Sequence, residues 1–370
     1  MNNEENKFFY KFYRTTKEAW DAMYSAVLDA RVSVYWELYM FADDEAGNRF
    51  VDILCEKAKT GVDVKLIFDS IGSYELSSAA VERLRKAGAE VKWFNQLLPE
   101  WRLNKWFSRL WKRNHRKVLI IDEETSFLGG VNVSAGCGDW DDLYLQIKGK
   151  LVRPLLRGFA KSYARCGGDK EKVKRLLHPK ITKGLKEWRK KFHFFIHSPM
   201  RGRNSSIKNV FFRGLSLAKE SFNLVTPYYV PDKNFLKLIT KAKKRGVKVN
   251  VFLPLRTDHK IMEWIAMGYF ELTQKAGASV YLLRNMHHGK GMSVDGKIGF
   301  VGSANFTPRG FFHNEESCVY FSDEKMVKDL NDIFEDLKSK SDVFDLEKWK
   351  KRGALNKIKE WVAEKFKDYV

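Results

Sequence analysis

The stretch Asn114–Ser134, NHRKVLIIDEETSFLGGVNVS, returns 173 residues later as His287–Thr307, HHGKGMSVDGKIGFVGSANFT. Each copy carries a histidine, a lysine and an aspartate in the spacing H-x-K-x4-D: His115, Lys117 and Asp122, then His288, Lys290 and Asp295. Each continues into small residues and an asparagine, Gly129, Gly130 and Asn132 in the first copy and Gly302, Ser303 and Asn305 in the second. One such match carries little weight. Two at equivalent places of an internal repeat fix the architecture before any secondary structure is assigned. In an extended chain residues two apart share a side, so each histidine and its lysine can reach one phosphate.

The repeat extends outward from this pair. AKTGVDVKLIFD (Ala58–Asp69) matches AKKRGVKVNVFLP (Ala242–Pro254), and LRKAGAEVKW (Leu84–Trp93) matches LTQKAGASVYL (Leu272–Leu282). Each reads as a helix end, a glycine cap and a buried β-branched strand. Alternating helices and short strands imply an α/β protein of two homologous αβα sandwich halves, with mostly parallel central sheets, related by a pseudo-two-fold in one bilobed unit. The first half is expected over 1–149 and the second over 204–325, with a basic linker holding helical pieces at 150–203 and a C-terminal helical segment at 326–370. In that last segment Leu355, Ile358, Val362 and Phe366 share one helical side. Spacing between the landmarks leaves an insertion in the first half just before His115, at 96–113.

Composition narrows the partners. Hydrophobic residues at 44% exclude a disordered chain, and Lys plus Arg exceed Asp plus Glu by a formal +21, which suits phosphate-rich surfaces, either anionic lipid or nucleic acid. Cys55, Cys137, Cys166 and Cys318 lie far apart with no Cys-x-x-Cys pair, so neither a disulfide framework nor a zinc site is expected. There is no basic start followed by an apolar run, and no uninterrupted apolar stretch long enough to span a bilayer. A cytoplasmic protein peripherally associated with the inner leaflet of the cell membrane is the expectation.

The doubled motif, taken with the small residues and asparagines that follow it, resembles the phospholipase D superfamily from about Ser25 to Phe321. The resemblance implies one active site formed by both motifs and a ping-pong displacement at a phosphodiester. His115 attacks phosphorus to give a phosphohistidine, and His288 protonates the departing alcohol. Lys117 and Lys290 supply point charges to the phosphate, and Asn132, Asn305 and Ser303 donate hydrogen bonds to it. An acidic residue downstream of each motif orients its imidazole in that family, which nominates Glu316 and Asp142, although Glu315 and Asp141 are equally acidic neighbours. Asp122 and Asp295 are read as organising the strand turn and the lysines, and His287 as a bystander. No metal and no organic cofactor is expected, because the two lysines do the work of a divalent ion.

Lipid is favoured over nucleic acid on three stretches. TPYYVPDKNFLKLI (Thr226–Ile239) is similar to the segment that opens the second half of bacterial cardiolipin synthases, and HGKGMSVDGKIGFVGSANFTPRGFFHNEE has the layout of their closing motif. Its Thr-Pro-Arg-Gly-Phe-Phe portion departs from the commoner Ser-rich, aliphatic form. Within the insertion, Leu103, Trp106, Phe107, Leu110 and Trp111 fall on one helical arc and Arg102, Lys105, Arg109, Lys112 and Arg113 on the adjoining one, with only Trp101 straying. That is the layout of an interfacial helix on anionic lipid, although an apolar face packed into the core gives the same pattern. The expectation is a cardiolipin synthase-like phosphatidyltransferase acting on anionic phospholipids. A phospholipase D that hands the group to water, a nuclease and a non-catalytic binding module are the alternatives.

Overall fold

The computed structural model describes residues 8–95, 112–177, 190–198 and 205–351. These divide into two compact units: the first runs to Ser198 and also takes Asn314–Cys318, and the second takes the described residues of Pro199–His313 and those from Val319 onward. The insertion through Trp111, with Trp101, Trp106, Phe107 and Leu110, and the apolar stripe Leu355–Phe366 lie outside the described residues.

In the first unit, β1 (Phe9–Thr15), β2 (Ser33–Leu38), β3 (Asp63–Asp69), β4 (Glu90–Phe94), β5 (Val118–Ile121), β6 (Thr125–Gly129) and β7 (Asp141–Lys148) form one sheet. Its order is β1-β7-β6-β5-β2-β3-β4. Strand alternation decides what each face buries. Trp36 meets Phe41 and Phe50 on one side, while its neighbour Tyr35 stacks on Phe159 of the helix Arg153–Arg165 on the other. The helices Thr16–Leu28, Glu45–Lys59 and Ser78–Lys86 cover the Trp36 side and start on Thr15, Asp44 and Ser77, whose side chains accept backbone N–H groups of their first turns. The described residues of the stretch expected as a linker, 150–177 and 190–198, therefore belong to this unit. Leu155, Leu156, Phe159 and Tyr163 are buried there, and β8 (Phe192–His197) belongs to the same unit.

The second unit contains β9 (Ser221–Val225), β10 (Lys248–Pro254), β11 (Ser279–Leu283), β12 (Gly291–Val294), β13 (Ile298–Gly302) and β15 (Ser341–Val343), with β14 (Glu316–Phe321) passing between the units after Cys318. The order β11-β10-β9-β12-β13-β14 reproduces β4-β3-β2-β5-β6-β7. The glycines that marked the repeat end their helices in the left-handed region, Gly61 and Gly246 at φ 90° and 85°, Gly88 and Gly277 at 104° and 111°, where a side chain is disfavoured.

The expectation of mostly parallel sheets is corrected. Only β2/β3, β3/β4, β9/β10 and β10/β11 are parallel among the described pairs; β2/β5, β5/β6, β6/β7, β1/β7, β9/β12, β12/β13 and β11/β15 are antiparallel. The cause is local. The motif aspartates sit in tight hairpin turns, with Asp122 and Glu123 at φ 50° and 59° and Asp295 and Gly296 at 52° and 62°, so each motif folds back on itself rather than crossing over. The Asp295-Gly296 pair was a legible signal of this turn.

Candidate active site

In the first unit His115 and Lys117 lie on the extended segment that leads into β5. That segment is pinned by its backbone. The His115 N–H donates to the Glu315 carbonyl at 2.9 Å, and the Glu315 N–H donates to the Arg113 carbonyl at 2.8 Å. The register brings the buried Glu316 carboxylate to His115, with both oxygens 3.1 Å from Nδ1. A carboxylate accepts, so Nδ1 carries a proton, and in the neutral imidazole Nε2 then holds the lone pair. Lys117, fully buried, donates from Nζ to the His115 carbonyl at 3.1 Å and stands 5.1 Å from the Tyr39 ring centre. The same Tyr39 ring meets the His115 imidazole edge-on at 4.9 Å. One aromatic side chain thus touches both the histidine and the lysine of the motif.

The residues flanking His115 are held by buried ions. Asp69 accepts from the Asn114 backbone N–H at 2.8 Å and pairs with Arg113 at 3.3 Å. Glu37 accepts from Asn114 Nδ2 at 2.7 Å, and Arg116 pairs with Glu37 at 3.4 Å and Glu315 at 3.3 Å, donates to Ser162 Oγ at 2.6 Å and reaches the His197 carbonyl at 2.8 Å. Arg165 forks onto the Glu315 carboxylate. Of the two adjacent glutamates, Glu315 serves this cation network and Glu316 serves the histidine. Glu37, Asp69 and Arg116 escaped the sequence reading, although a glutamate inside the apolar strand SVYWEL and an aspartate closing DVKLIFD were visible departures from pattern.

In the second unit His288 and Lys290 occupy the equivalent segment before β12, both buried, with Lys290 Nζ donating to the His288 carbonyl. Tyr228 presents its ring edge to His288 at 6.4 Å. His287 has a local role, accepting from the Gly289 N–H on Nδ1 at 3.2 Å. Ser303 and Asn305 are buried here, as Asn132 is in the first unit, where Trp20 Nε1 donates to the Asn132 carbonyl at 2.8 Å. The Oδ1 atoms of Asn132 and Asn305 are buried with no donor among the described residues, an uncommon condition for an amide. Asp142 is buried at the start of β7, where its carboxylate accepts from the Leu143 N–H. Burial, and then the Asp142 charge, push the Tyr144 phenol far above its ordinary range.

The motif aspartates serve backbone rather than the lysines. Asp122 accepts from the N–H groups of Arg31, Val32 and Ser33 at 2.7–3.1 Å, and Asp295 does the same for Lys219, Glu220 and Ser221. Each ties the hairpin turn to the start of the neighbouring strand. Burial alone would raise the Asp295 carboxyl, but the three N–H donors outweigh it and hold it below the usual range. A carboxyl depressed on folding stabilises the protein above its unfolded pKa and loses that contribution as pH falls through the folded value. Asp295→Asn is accordingly expected to cost about 1–2 kcal/mol near neutrality, discounted for partial exposure, with the gap to wild type closing in acid. Paired chemical denaturation curves at pH 7 and pH 3 check this; a gap that persists unchanged in acid refutes it.

Among the described residues no group of His, Cys, Asp or Glu is arranged to hold a metal ion, and no helix is long and apolar enough to cross a membrane.

Comparison with known proteins agrees with this fold. Residues 23–152 and 212–338 match the family described as cardiolipin synthase, PLD-like domain. The chain is 33% identical to a cardiolipin synthase of Clostridium perfringens, over 98% of this chain and 78% of that protein. It is 28% identical to the minor cardiolipin synthase ClsB of Bacillus subtilis, over 93% and 84%. Among solved structures it resembles the phosphatidylserine synthase of Haemophilus influenzae, with TM-score 0.71 at 15% identity over 99% of this chain and 93% of that one, a likeness of fold.

Proposed function

The chain belongs to the cardiolipin synthase, PLD-like domain family, and from that premise we propose that it moves a phosphatidyl group from one phosphatidylglycerol to the hydroxyl of a second, releasing glycerol, through a phosphohistidine. The single observation that carries the reading is the Glu316 carboxylate on His115 Nδ1, which leaves the nucleophilic lone pair on Nε2. In the first half-reaction Nε2 of His115 bonds to phosphorus, the P–O bond to the glycerol headgroup breaks, and His288 gives its proton to the departing oxygen. In the second, His288 takes a proton from the incoming hydroxyl, that oxygen bonds to phosphorus, and the P–N bond returns its electrons to His115. Lys117 and Lys290 offset charge on the non-bridging oxygens. Asn132 and Asn305, through their amide N–H groups, and Ser303, through its hydroxyl, donate to the same oxygens. Asp142 is assigned the orienting role for the other imidazole. The basic, Trp-rich segment Trp101–Arg113 brings the protein to the anionic leaflet, in keeping with the formal +21 charge.

Phosphatidylglycerol vesicles, incubated with the purified protein in excess chelator, test this directly. The expected products are a diphosphatidylglycerol and free glycerol in equal amounts, with single-stranded DNA cut orders of magnitude more slowly. Phosphatidic acid as the main product makes the protein a hydrolase, and DNA cleavage at a matching rate makes it a nuclease.

A further inference from the structure

Beside His288 the second unit carries a polar cluster that phosphate chemistry does not use. The Tyr228 hydroxyl donates to Asp258 Oδ1 at 2.6 Å, and the other Asp258 oxygen lies 3.5 Å from His259 Nε2. The Tyr228 ring meets His288 at 6.4 Å and His259 at 5.8 Å, so one aromatic ring stands against both imidazoles. The cluster is built rather than incidental. Thr226 Oγ1 donates to the Tyr228 carbonyl and accepts from the Phe306 N–H. On the other side, the Thr257 N–H donates to Glu263 and the Thr257 hydroxyl to the His259 carbonyl, while the Leu255 N–H is tied to the Leu283 carbonyl. Against this fixed backbone, the Asp258 and His259 side chains remain 21% and 63% exposed.

A carboxylate joined through Tyr228 to the surroundings of His288 repels the non-bridging oxygens of a phosphodiester, so its partner is the other half of the substrate. Asp258 has acceptor capacity left after the Tyr228 bond, and a neutral imidazole offers one donor and one acceptor nitrogen. Hydroxyl groups both donate and accept; an ammonium only donates. The pairing fits two neighbouring hydroxyls better than an amine.

We propose that Asp258 and His259, with Asp258 positioned by the Tyr228 hydroxyl, form a subsite for the polyol portion of the lipid headgroup, reading the glycerol that leaves from and arrives at His288. The subsite rests on the phosphatidyltransferase reading above and deepens it by naming the feature that selects glycerol over simpler alcohols. Because His288 serves both half-reactions, the leaving glycerol and the glycerol portion of the acceptor phosphatidylglycerol pass through the same place.

Internal competition tests it. A short-chain phosphatidyl ester of p-nitrophenol is the donor, and glycerol and 1-propanol at equal concentration are the acceptors. The readout is the ratio of glyceryl to propyl product within one reaction, in which the amount of active enzyme cancels. Wild type is expected to favour glycerol, and Asp258→Ala and His259→Ala to lower the ratio at least tenfold, with Tyr228→Phe lowering it less. Variants that keep the wild-type ratio, or a wild type indifferent between the alcohols, overturn the subsite. Ethanolamine outcompeting glycerol in the wild type overturns the polyol assignment. A wild type that releases no nitrophenol at all instead removes the underlying transferase reading, so the two failures are distinguishable.

Discussion

Replacing either motif histidine by alanine is expected to lower turnover of phosphatidylglycerol by about ten-thousand-fold, because in the proposed mechanism nucleophile and acid act as a unit and losing one stops the cycle. The two variants separate on a donor that needs no acid. With a p-nitrophenolate leaving group, His288→Ala still forms a phosphoryl adduct, whereas His115→Ala forms none. Acid-quenched peptide mapping reads the outcome, with the adduct on His115. An adduct found on His288 reverses the two roles. Retention of more than a few per cent of activity by either alanine variant removes the paired-histidine mechanism altogether.

Arg116→Met is expected to be the most damaging change to stability near the site. Arg116 is fully buried and lies between the Glu37 and Glu315 carboxylates; Arg165 still compensates Glu315 in the variant, but Glu37 loses its guanidinium. Removing one partner of a buried ion pair costs about 3–5 kcal/mol. Burial already holds the Glu37 carboxyl above its usual range, against the pull of Arg116. Without that arginine the carboxyl rises further. A carboxyl raised on folding takes up its proton preferentially in the folded state, so the deficit of the variant is largest at neutral pH and shrinks as pH falls toward the folded value. Urea denaturation at pH 7.5 and pH 5.5 checks both the size and the direction. Adding Glu37→Gln to Arg116→Met should recover part of the loss, since an uncharged amide needs no counter-ion. A deficit that grows in acid, or no recovery in the double variant, contradicts this account.

Such a network explains why His115 is so firmly placed. Each of its neighbours, Arg113, Asn114 and Arg116, is anchored to a carboxylate from β2, β3 or the Asn314–Cys318 segment. Preorganisation of that kind is what phosphoryl transfer asks of a protein, because the chemistry depends on position and charge more than on any covalent novelty.

By itself the sequence determined the two motifs, the repeat, the α/β class of both units and, through them, the family. Those features are carried by local spacing: glycine at helix ends, β-branched runs, and histidine and lysine two apart. Tertiary structure decided the rest. Antiparallel pairing around each motif followed from positive-φ turns at Asp122 and Asp295, which overrode the parallel pattern set by the helix–strand alternation. The choice of Glu316 over Glu315 was set by strand geometry, because adjacent residues on an extended chain point to opposite sides, and only the pairing of Asn114 with Glu315 fixes which side faces His115. Tyr39 and Tyr228 became site residues for the same reason: contacts between residues far apart in the chain are made by folding, and no local pattern in the sequence announces them.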